Sequence, residues 1–319
     1  MKIVILDAFT VNPGDLSWES FEKFGELTTY ERTPHDLIFE RCRGAEIVLT
    51  NKVILDAEVL NQLPRLLYVG VLATGYNVVD INAASRQNVV VTNIPAYSTD
   101  SVAQMAFAHL LNITNRVDMY ANDNRNGKWK NADDFSFFSH DYHELAGKTI
   151  GIVGLGNTGM ATANIAMAFG MKVIAFTSKD DEQIPQGIKS VEMEQIFEES
   201  DVITLHCPLN DSTHHLVNKD KINVMKKNAI IINTGRGPLV NDDDLADALN
   251  DNRIMAYGAD VITVEPPVDD NPLLHCKNAF FTPHIAWATF EARTRLIQIA
   301  AENVKAFIKG KPINVVNDL

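Results

Sequence analysis

Three residues in the C-terminal half carry side chains suited to carboxylate binding and proton transfer, and each lies just beyond an apolar, strand-like run. Arg236 follows Ala229-Ile230-Ile231-Ile232-Asn233-Thr234-Gly235 and precedes Gly237. The flanking glycines let its guanidinium leave the backbone freely and fork onto a carboxylate with two parallel hydrogen bonds. Glu265 stands in Val264-Glu265-Pro266-Pro267, where the prolines bar a helix and stiffen the loop that holds the acid. His284 follows Ala279-Phe280-Phe281-Thr282-Pro283 and precedes Ile285-Ala286-Trp287. A carboxylate beside its ring would fix the tautomer, and such a pair can give a proton to a carbonyl or take one from an alcohol. Singly, each residue has a plainer reading, as a surface arginine, a loop acid and a histidine among apolar neighbours. Strand ends on one rim would bring the three together.

A second cluster supports a second chemistry. Gly154, Gly156 and Gly159 fall on G-x-G-x-x-G in Gly154-Leu155-Gly156-Asn157-Thr158-Gly159. The apolar run from Thr149 to Val153 precedes them, a helical pattern with Met160, Ile165, Ala166 and Phe169 follows, and Met171 to Phe176 closes the unit as a second strand. In that setting the first glycine permits a tight turn, the second lets backbone approach a pyrophosphate, and the third lets helix and strand pack closely. The helix start adds unpaired N–H groups and a positive dipole end. The stretch reads as a dinucleotide-binding unit.

These residues need a frame of strands alternating with helices, and the chain supplies one. Apolar runs at 3–6, 46–50, 66–70 and 89–92 are separated by helical patterns, which predicts a parallel sheet in the first hundred residues. Asn51-Lys52 and Leu72-Ala73-Thr74-Gly75 lie at strand ends there, where open α/β sheets bind ligands. Leu72 to Gly75 reads equally as a plain connecting turn. The polar stretch Asn93 to Asp100 with Pro95 marks a boundary ahead of a helix bearing Val102, Met105, Ala106, His109, Leu110 and Ile113. His109 on that face reads as a packed histidine. Trp129, Phe135, Phe137 and Phe138 dot a polar segment that could cover a cleft or a subunit contact. His140 and His143 sit in the same segment without a cysteine or carboxylate pattern to make them metal ligands. Further strands are expected near 200–205, 229–233, 255–260 and 279–282. A last helix near 289–308 carries Leu296, Ile297, Ala300, Val304 and Phe307 for docking on the first domain. The fold class is α/β, with two Rossmann/flavodoxin-like parallel-sheet domains and a cleft between them. The chain is thus expected to leave its first domain near residue 100 and to return near residue 287, so that residues 1–99 plus 287–319 make a discontinuous domain with the first candidate site loops, around a domain of residues 100–286 that carries the dinucleotide unit.

The 319 residues suffice for two domains, and 46% hydrophobic with 22% charged is ordinary globular composition. A net charge of −13 argues against nucleic acid or an anionic membrane as partner. Cys42, Cys207 and Cys276 are three scattered thiols that suggest neither a disulfide framework nor a zinc site. No apolar run of membrane-spanning length and no secretory h-region occur, so a cytoplasmic protein is expected.

The glycine motif, Asn233-Thr234-Gly235-Arg236-Gly237, Asp260-Val261 with Glu265-Pro266, and Thr282-Pro283-His284-Ile285-Ala286-Trp287 resemble, in order and across nearly the whole chain, the signature of the D-2-hydroxyacid dehydrogenases. Residues 71–80 and 95–104 are most similar to the glycerate dehydrogenase (hydroxypyruvate reductase) branch. The resemblance implies reduction of a small 2-keto acid, hydroxypyruvate and then glyoxylate, to the D-2-hydroxy acid, with NAD(H) or NADP(H) and a homodimer. It implies that His284 is the acid/base, Glu265 its orienting partner, and Arg236 the clamp on the substrate carboxylate and keto oxygen. Leu72, Ala73, Thr74 and Gly75 would bind the substrate carboxylate. Asp260 would meet the nicotinamide carboxamide, and Asn157, Thr158, Cys207, Pro208, Thr234, Gly235 and His284 would line the cofactor. Where this fold usually places an acid for the adenosine ribose, the chain has Thr177-Ser178-Lys179, which would tolerate a 2′-phosphate. D-lactate dehydrogenase activity, or a dinucleotide-sensing scaffold like the family's corepressors, are the alternatives; no Pro/Ser/Gly-rich tail favours the scaffold.

Overall fold

The computed structural model describes residues 1–318. The chain divides into two compact units, Met1–Ser98 together with residues from Ala288 onward, and Thr99–Trp287. Thr99, expected to end the first domain, instead opens the second unit's first helix, Thr99–Asn115. Trp287 stays with the second unit, and its indole N–H donates to the His284 carbonyl at 2.9 Å.

The first unit holds β1 (Lys2–Ile5), β2 (Glu26–Thr29), β3 (Ile47–Thr50), β4 (Tyr68–Val71) and β5 (Val90–Thr92) in the order β2-β1-β3-β4-β5, all parallel. β3 and β4 are buried along their whole length, which is why they read as unbroken apolar runs. β2 has the sequence Glu-Leu-Thr-Thr, is exposed at both ends, and gave no apolar signal. The helix Phe290–Ile308 is capped by Thr289, whose hydroxyl accepts from Ala292 N at 3.2 Å. Its Leu296, Ile297, Ala300 and Val304 are buried, and the Phe307 ring lies 4.9 Å from Tyr68 of β4.

The second unit has seven parallel strands, β6 (Thr149–Val153), β7 (Lys172–Phe176), β8 (Ile188–Ser190), β9 (Val202–Leu205), β10 (Ile230–Asn233), β11 (Ala256–Ala259) and β12 (Ala279–Phe281). Their order is β12-β11-β10-β9-β6-β7-β8. Successive residues of a strand face opposite sides, so each strand feeds two cores. Ile150, Ile152, Val202, Ile230, Ile232 and Ala256 pack with Phe107, Leu110 and Ala163 on one side. Val153, Ile203, Leu205, Ile231 and Tyr257 pack with Ile196, Phe197, Leu245 and Leu249 on the other. The connection reverses direction across the sheet at β6, which leaves a switch point at the carboxyl ends of β6 and β9, where such sheets receive ligands. Among the described residues no helix is long and apolar enough to cross a membrane.

Candidate active site

The strand order lays the second unit's expected site residues along one edge of one sheet. Moving across the carboxyl ends from β12 to β7, the chain presents His284, then Asp260 and Glu265, then Thr234, Gly235 and Arg236. Cys207 and Pro208 follow, then the glycine turn, then Thr177 to Lys179.

The three glycines differ in what surrounds them. Gly154 has φ +94°, a left-handed conformation that a side chain would strain, and its N–H donates to Phe176 O at 2.9 Å. A Cβ on Gly159 would run into the Gly154 carbonyl oxygen, so the helix Asn157–Ala168 starts directly against the turn. A Cβ on Gly156 would meet no protein atom within 4 Å. That open space faces the first turn of the helix, whose N–H groups at Asn157, Thr158 and Gly159 have no acceptor inside it. Here the backbone fits a pyrophosphate. Thr234 adds a buried hydroxyl with no partner among the described residues, a polar atom that a bound dinucleotide could satisfy. Cys207 is half-buried, and burial pushes its thiol up, which keeps it protonated and inert. At the end of β7, Thr177 Oγ1 accepts from Lys179 N at 3.2 Å, Ser178 is exposed, and Asp180 and Asp181 are exposed beyond them.

His284 and Glu265 meet. His284 Nδ1 lies 2.6 Å from Glu265 Oε2. A carboxylate only accepts, so Nδ1 carries the hydrogen and Nε2 is left to exchange a proton with a ligand. The other carboxylate oxygen accepts from Ile262 N at 3.2 Å, which fixes the acid within its own loop. The loop includes a cis Glu265–Pro266 bond. His284 has φ +54°, outside the usual range for a non-glycine residue, and its N–H donates to Asp260 O at 2.8 Å. Asp260, 1% exposed, uses its side chain in the same turn: Oδ1 accepts from Ile285 N at 2.9 Å and Oδ2 from Ala286 N at 2.7 Å. Its carboxylate therefore builds the histidine turn, a role the sequence did not suggest.

Arg236 is exposed, with Nη1 donating to Gly235 O at 2.8 Å. Buried Asn233 sets that turn, its Oδ1 accepting from Gly235 N at 3.0 Å and its Nδ2 donating to Arg236 O at 2.9 Å. A Cβ on Gly237 would collide with Ile262, so the arginine and glutamate loops pack backbone to backbone. His206, at the end of β9, is driven by burial down to about 4 and is neutral, with Nε2 2.9 Å from Thr204 Oγ1.

In the first unit the loop after β4 turns its carbonyls into the protein. Leu72 O accepts from Asn51 Nδ2 at 2.5 Å, Ala73 O from Ile94 N at 2.9 Å and Thr74 O from Asn93 Nδ2 at 2.7 Å. The N–H groups of Ala73, Thr74 and Gly75 have no acceptor among the described residues, and successive free donors of this kind make a nest for an anion. Leu72 has to be corrected: it is fully buried, its N–H is bonded to Thr50 O at 2.7 Å, and it cannot contact a ligand. Asp7, unnoticed in the sequence, is buried against the loop that follows β3. Its carboxylate accepts from the backbone N–H groups of Asn51, Lys52 and Val53 at 2.8, 2.5 and 3.2 Å. Burial holds that carboxyl above its usual range against the pull of those donors. His140 is engaged with Asp123 at 3.5 Å. No group of three metal-ligating side chains forms among the described residues.

Residues 107–286 match the family profile described as D-isomer specific 2-hydroxyacid dehydrogenase, NAD binding domain. The chain belongs to the D-isomer specific 2-hydroxyacid dehydrogenases. It is 46% identical to a hydroxypyruvate reductase of Blautia hydrogenotrophica over 99% of this chain and 100% of the relative. It is 40% identical to a glycerate dehydrogenase of Methylorubrum extorquens over 99% of this chain and 98% of that one. Among solved structures, an acyclic imino acid reductase in complex with NADPH and D-Arg superposes with a TM-score of 0.84 at 30% identity, covering 99% of this chain and 100% of the other. As a member of this family the chain is an oxidoreductase, and its second unit is the nicotinamide dinucleotide-binding domain.

Proposed function

We propose that this dehydrogenase reduces hydroxypyruvate, and glyoxylate more slowly, to the D-2-hydroxy acid, and runs the reverse oxidation. The 2.6 Å contact between His284 Nδ1 and Glu265 Oε2 carries the reading, because it leaves Nε2 as the one site of proton exchange on a fixed ring. A bound reduced nicotinamide supplies the hydride. Protonated His284 gives its Nε2 proton to the oxygen that becomes the alcohol, and the ring is neutral afterwards. Glu265 stays ionised, stabilises the imidazolium while it exists, and holds the ring plane. Arg236 forks onto the keto acid and draws electron density toward its oxygen. The free N–H groups of Ala73, Thr74 and Gly75 receive a carboxylate.

The names of the relatives favour hydroxypyruvate as substrate. We assign use of both NADH and NADPH, since Thr177, Ser178 and Lys179 present hydroxyls and an ammonium where an acid would repel a 2′-phosphate. We also assign a homodimer, supported by Val117, Trp129, Phe135 and Phe138 at 70%, 56%, 91% and 77% exposure on one segment of the second unit. Three free thiols suit a reducing cytoplasm. Sedimentation of Phe135→Ser/Phe138→Ser tests the dimer, which that double substitution should dissociate.

Initial rates with hydroxypyruvate, glyoxylate and pyruvate, each with NADH and NADPH, test the reaction. Hydroxypyruvate should be turned over fastest, and His284→Gln should lose turnover while keeping cofactor affinity. Turnover in His284→Gln near the parent rate would overturn the assignment of the acid. Absence of turnover with every keto acid, cofactor still bound, would favour the sensing scaffold.

A further inference from the structure

Among the polar residues that the helix Thr99–Asn115 buries is His109, which packs against the C-terminal strands of the sheet. The residue is 5% exposed and packs on β11 at Gly258, where a Cβ would come within 2.9 Å of His109 Cβ. Its Nε2 lies 3.0 Å from Thr282 Oγ1, and that hydroxyl lies 2.6 Å from Asp260 Oδ1. Proton bookkeeping orders the chain. Asp260 as carboxylate only accepts, so Thr282 gives it the hydroxyl hydrogen and accepts from His109, whose Nε2 must carry hydrogen. Burial pushes His109 below its usual range, against the attraction of Asp260, so the ring is neutral and has one N–H to give. The same Asp260 Oδ1 takes the N–H of Ile285, Oδ2 takes that of Ala286, and the Asp260 carbonyl takes that of His284.

We propose that His109 is a positioning residue for the acid/base turn, acting through Thr282 and Asp260 on the backbone of residues 284–286. Two features make such a clamp necessary. His284 sits at φ +54°, a left-handed conformation that a non-glycine residue keeps only where its surroundings impose it. The bonds that impose it converge on Asp260, a carboxylate 1% exposed that must be held by hydrogen bonds to stay in one orientation. Thr282 alone could rotate its hydroxyl away; a donor on its lone pair prevents that. His109 touches neither substrate nor cofactor in this proposal, and its effect is confined to where the His284 ring points.

The proposal rests on His284 being the acid/base, so its test carries a readout that does not depend on turnover. The chain has three tryptophans, Trp18, Trp129 and Trp287, and the Trp287 indole donates to His284 O at 2.9 Å. In a Trp18→Phe/Trp129→Phe background, Trp287 emission reports the turn directly. His109→Leu removes the donor at similar volume, and His109→Gln keeps an N–H that can reach Thr282. We expect His109→Leu to lower kcat about ten- to a hundredfold, as a misplaced catalytic group does. KM for the cofactor should stay within about twofold, Trp287 emission should shift, and His109→Gln should restore both kcat and emission. Thr282→Val, which keeps shape and loses the hydroxyl, should behave like His109→Leu; it decides the matter if the leucine variant fails to fold. Parent kcat and emission in His109→Leu or Thr282→Val would overturn the proposal, as would a loss of kcat that His109→Gln leaves unrepaired. A shifted emission with turnover unaffected, together with an active His284→Gln, would uphold the clamp and remove the acid/base reading instead.

Discussion

Gly156 and Gly159 stand three residues apart in one motif, and substituting each by alanine should give opposite results. At Gly156 the backbone has φ −73°, open to any residue, and no protein atom lies within 4 Å of the new methyl. Alanine caps a helix less well than glycine, a loss of up to about 1 kcal/mol. It also restricts the unfolded chain, a gain of about 0.4–1 kcal/mol. The two offset, so Gly156→Ala should change Tm by less than about 4 °C. At Gly159 the methyl meets the Gly154 carbonyl oxygen, a backbone atom that cannot swing aside. Turn and helix must part, and overpacking of this kind costs about 1–3 kcal/mol. Gly159→Ala should therefore lower Tm by roughly 3–10 °C. Affinity reverses the contrast for Gly156→Ala, whose methyl fills the space through which backbone meets a pyrophosphate. Its dinucleotide Kd should rise about tenfold or more, a change of about 1.4 kcal/mol. Thermal unfolding and titration with NADH and NADPH measure both quantities. A stable Gly156→Ala that binds dinucleotide as tightly as the parent would refute the cradle, and one as unstable as Gly159→Ala would make the turn purely structural.

Other expectations follow from single contacts. Glu265→Gln keeps the volume and loses the charge beside His284. Hydrogen bonds to charged groups contribute about 1.5–3 kcal/mol, and part of this is screened because the pair is 29% and 36% exposed. A fall in kcat of about ten- to thirtyfold with unchanged cofactor affinity is expected, and kinetics at saturating cofactor would detect its absence. Ser178→Asp should turn the NADPH to NADH preference toward NADH by at least about tenfold; an unaltered ratio would mean that the ribose is read elsewhere. His206 is held down to about 4 in the folded chain against an ordinary value of 6.5. The unfolded chain then binds more protons between those limits, so stability is complete above about pH 6.5 and declines as pH falls toward 4. A shift from 6.5 to about 4 corresponds to about 3 kcal/mol, and because His206 keeps some exposed surface roughly 2 kcal/mol of it is expected. Denaturant unfolding at pH 4.5 and 7.5 should show His206→Asn without that part of the decline.

Much of the architecture was legible because it is local. Strands buried on both faces must be apolar along their length, so β3, β4, β6, β9 and β10 announced themselves as runs such as Ile230-Ile231-Ile232. Gly154 and Gly159 were readable for the same reason, since a left-handed turn and a close backbone approach each forbid a side chain at a fixed spacing. Two of the four edge strands escaped, β2 with Glu-Leu-Thr-Thr and β8 with Ile-Lys-Ser, because each lacks an apolar run.

Local pattern already places particular residue types at strand ends, and therefore shows which could do chemistry. What they touch was decided by strand order, which no local pattern encodes. Glu265 and His284 are 19 residues apart and meet because β11 and β12 are neighbours. His109 and Thr282 are 173 residues apart, and only the packing of a helix on β11 turns a histidine that reads as core filling into a donor. Leu72 and Asp260 show the same limit, one fully buried and the other, expected at the nicotinamide carboxamide, with its carboxylate bound into the histidine turn. Periodicity and turn chemistry act over a few residues, whereas a site is an agreement among distant ones, and the folded chain alone supplies that.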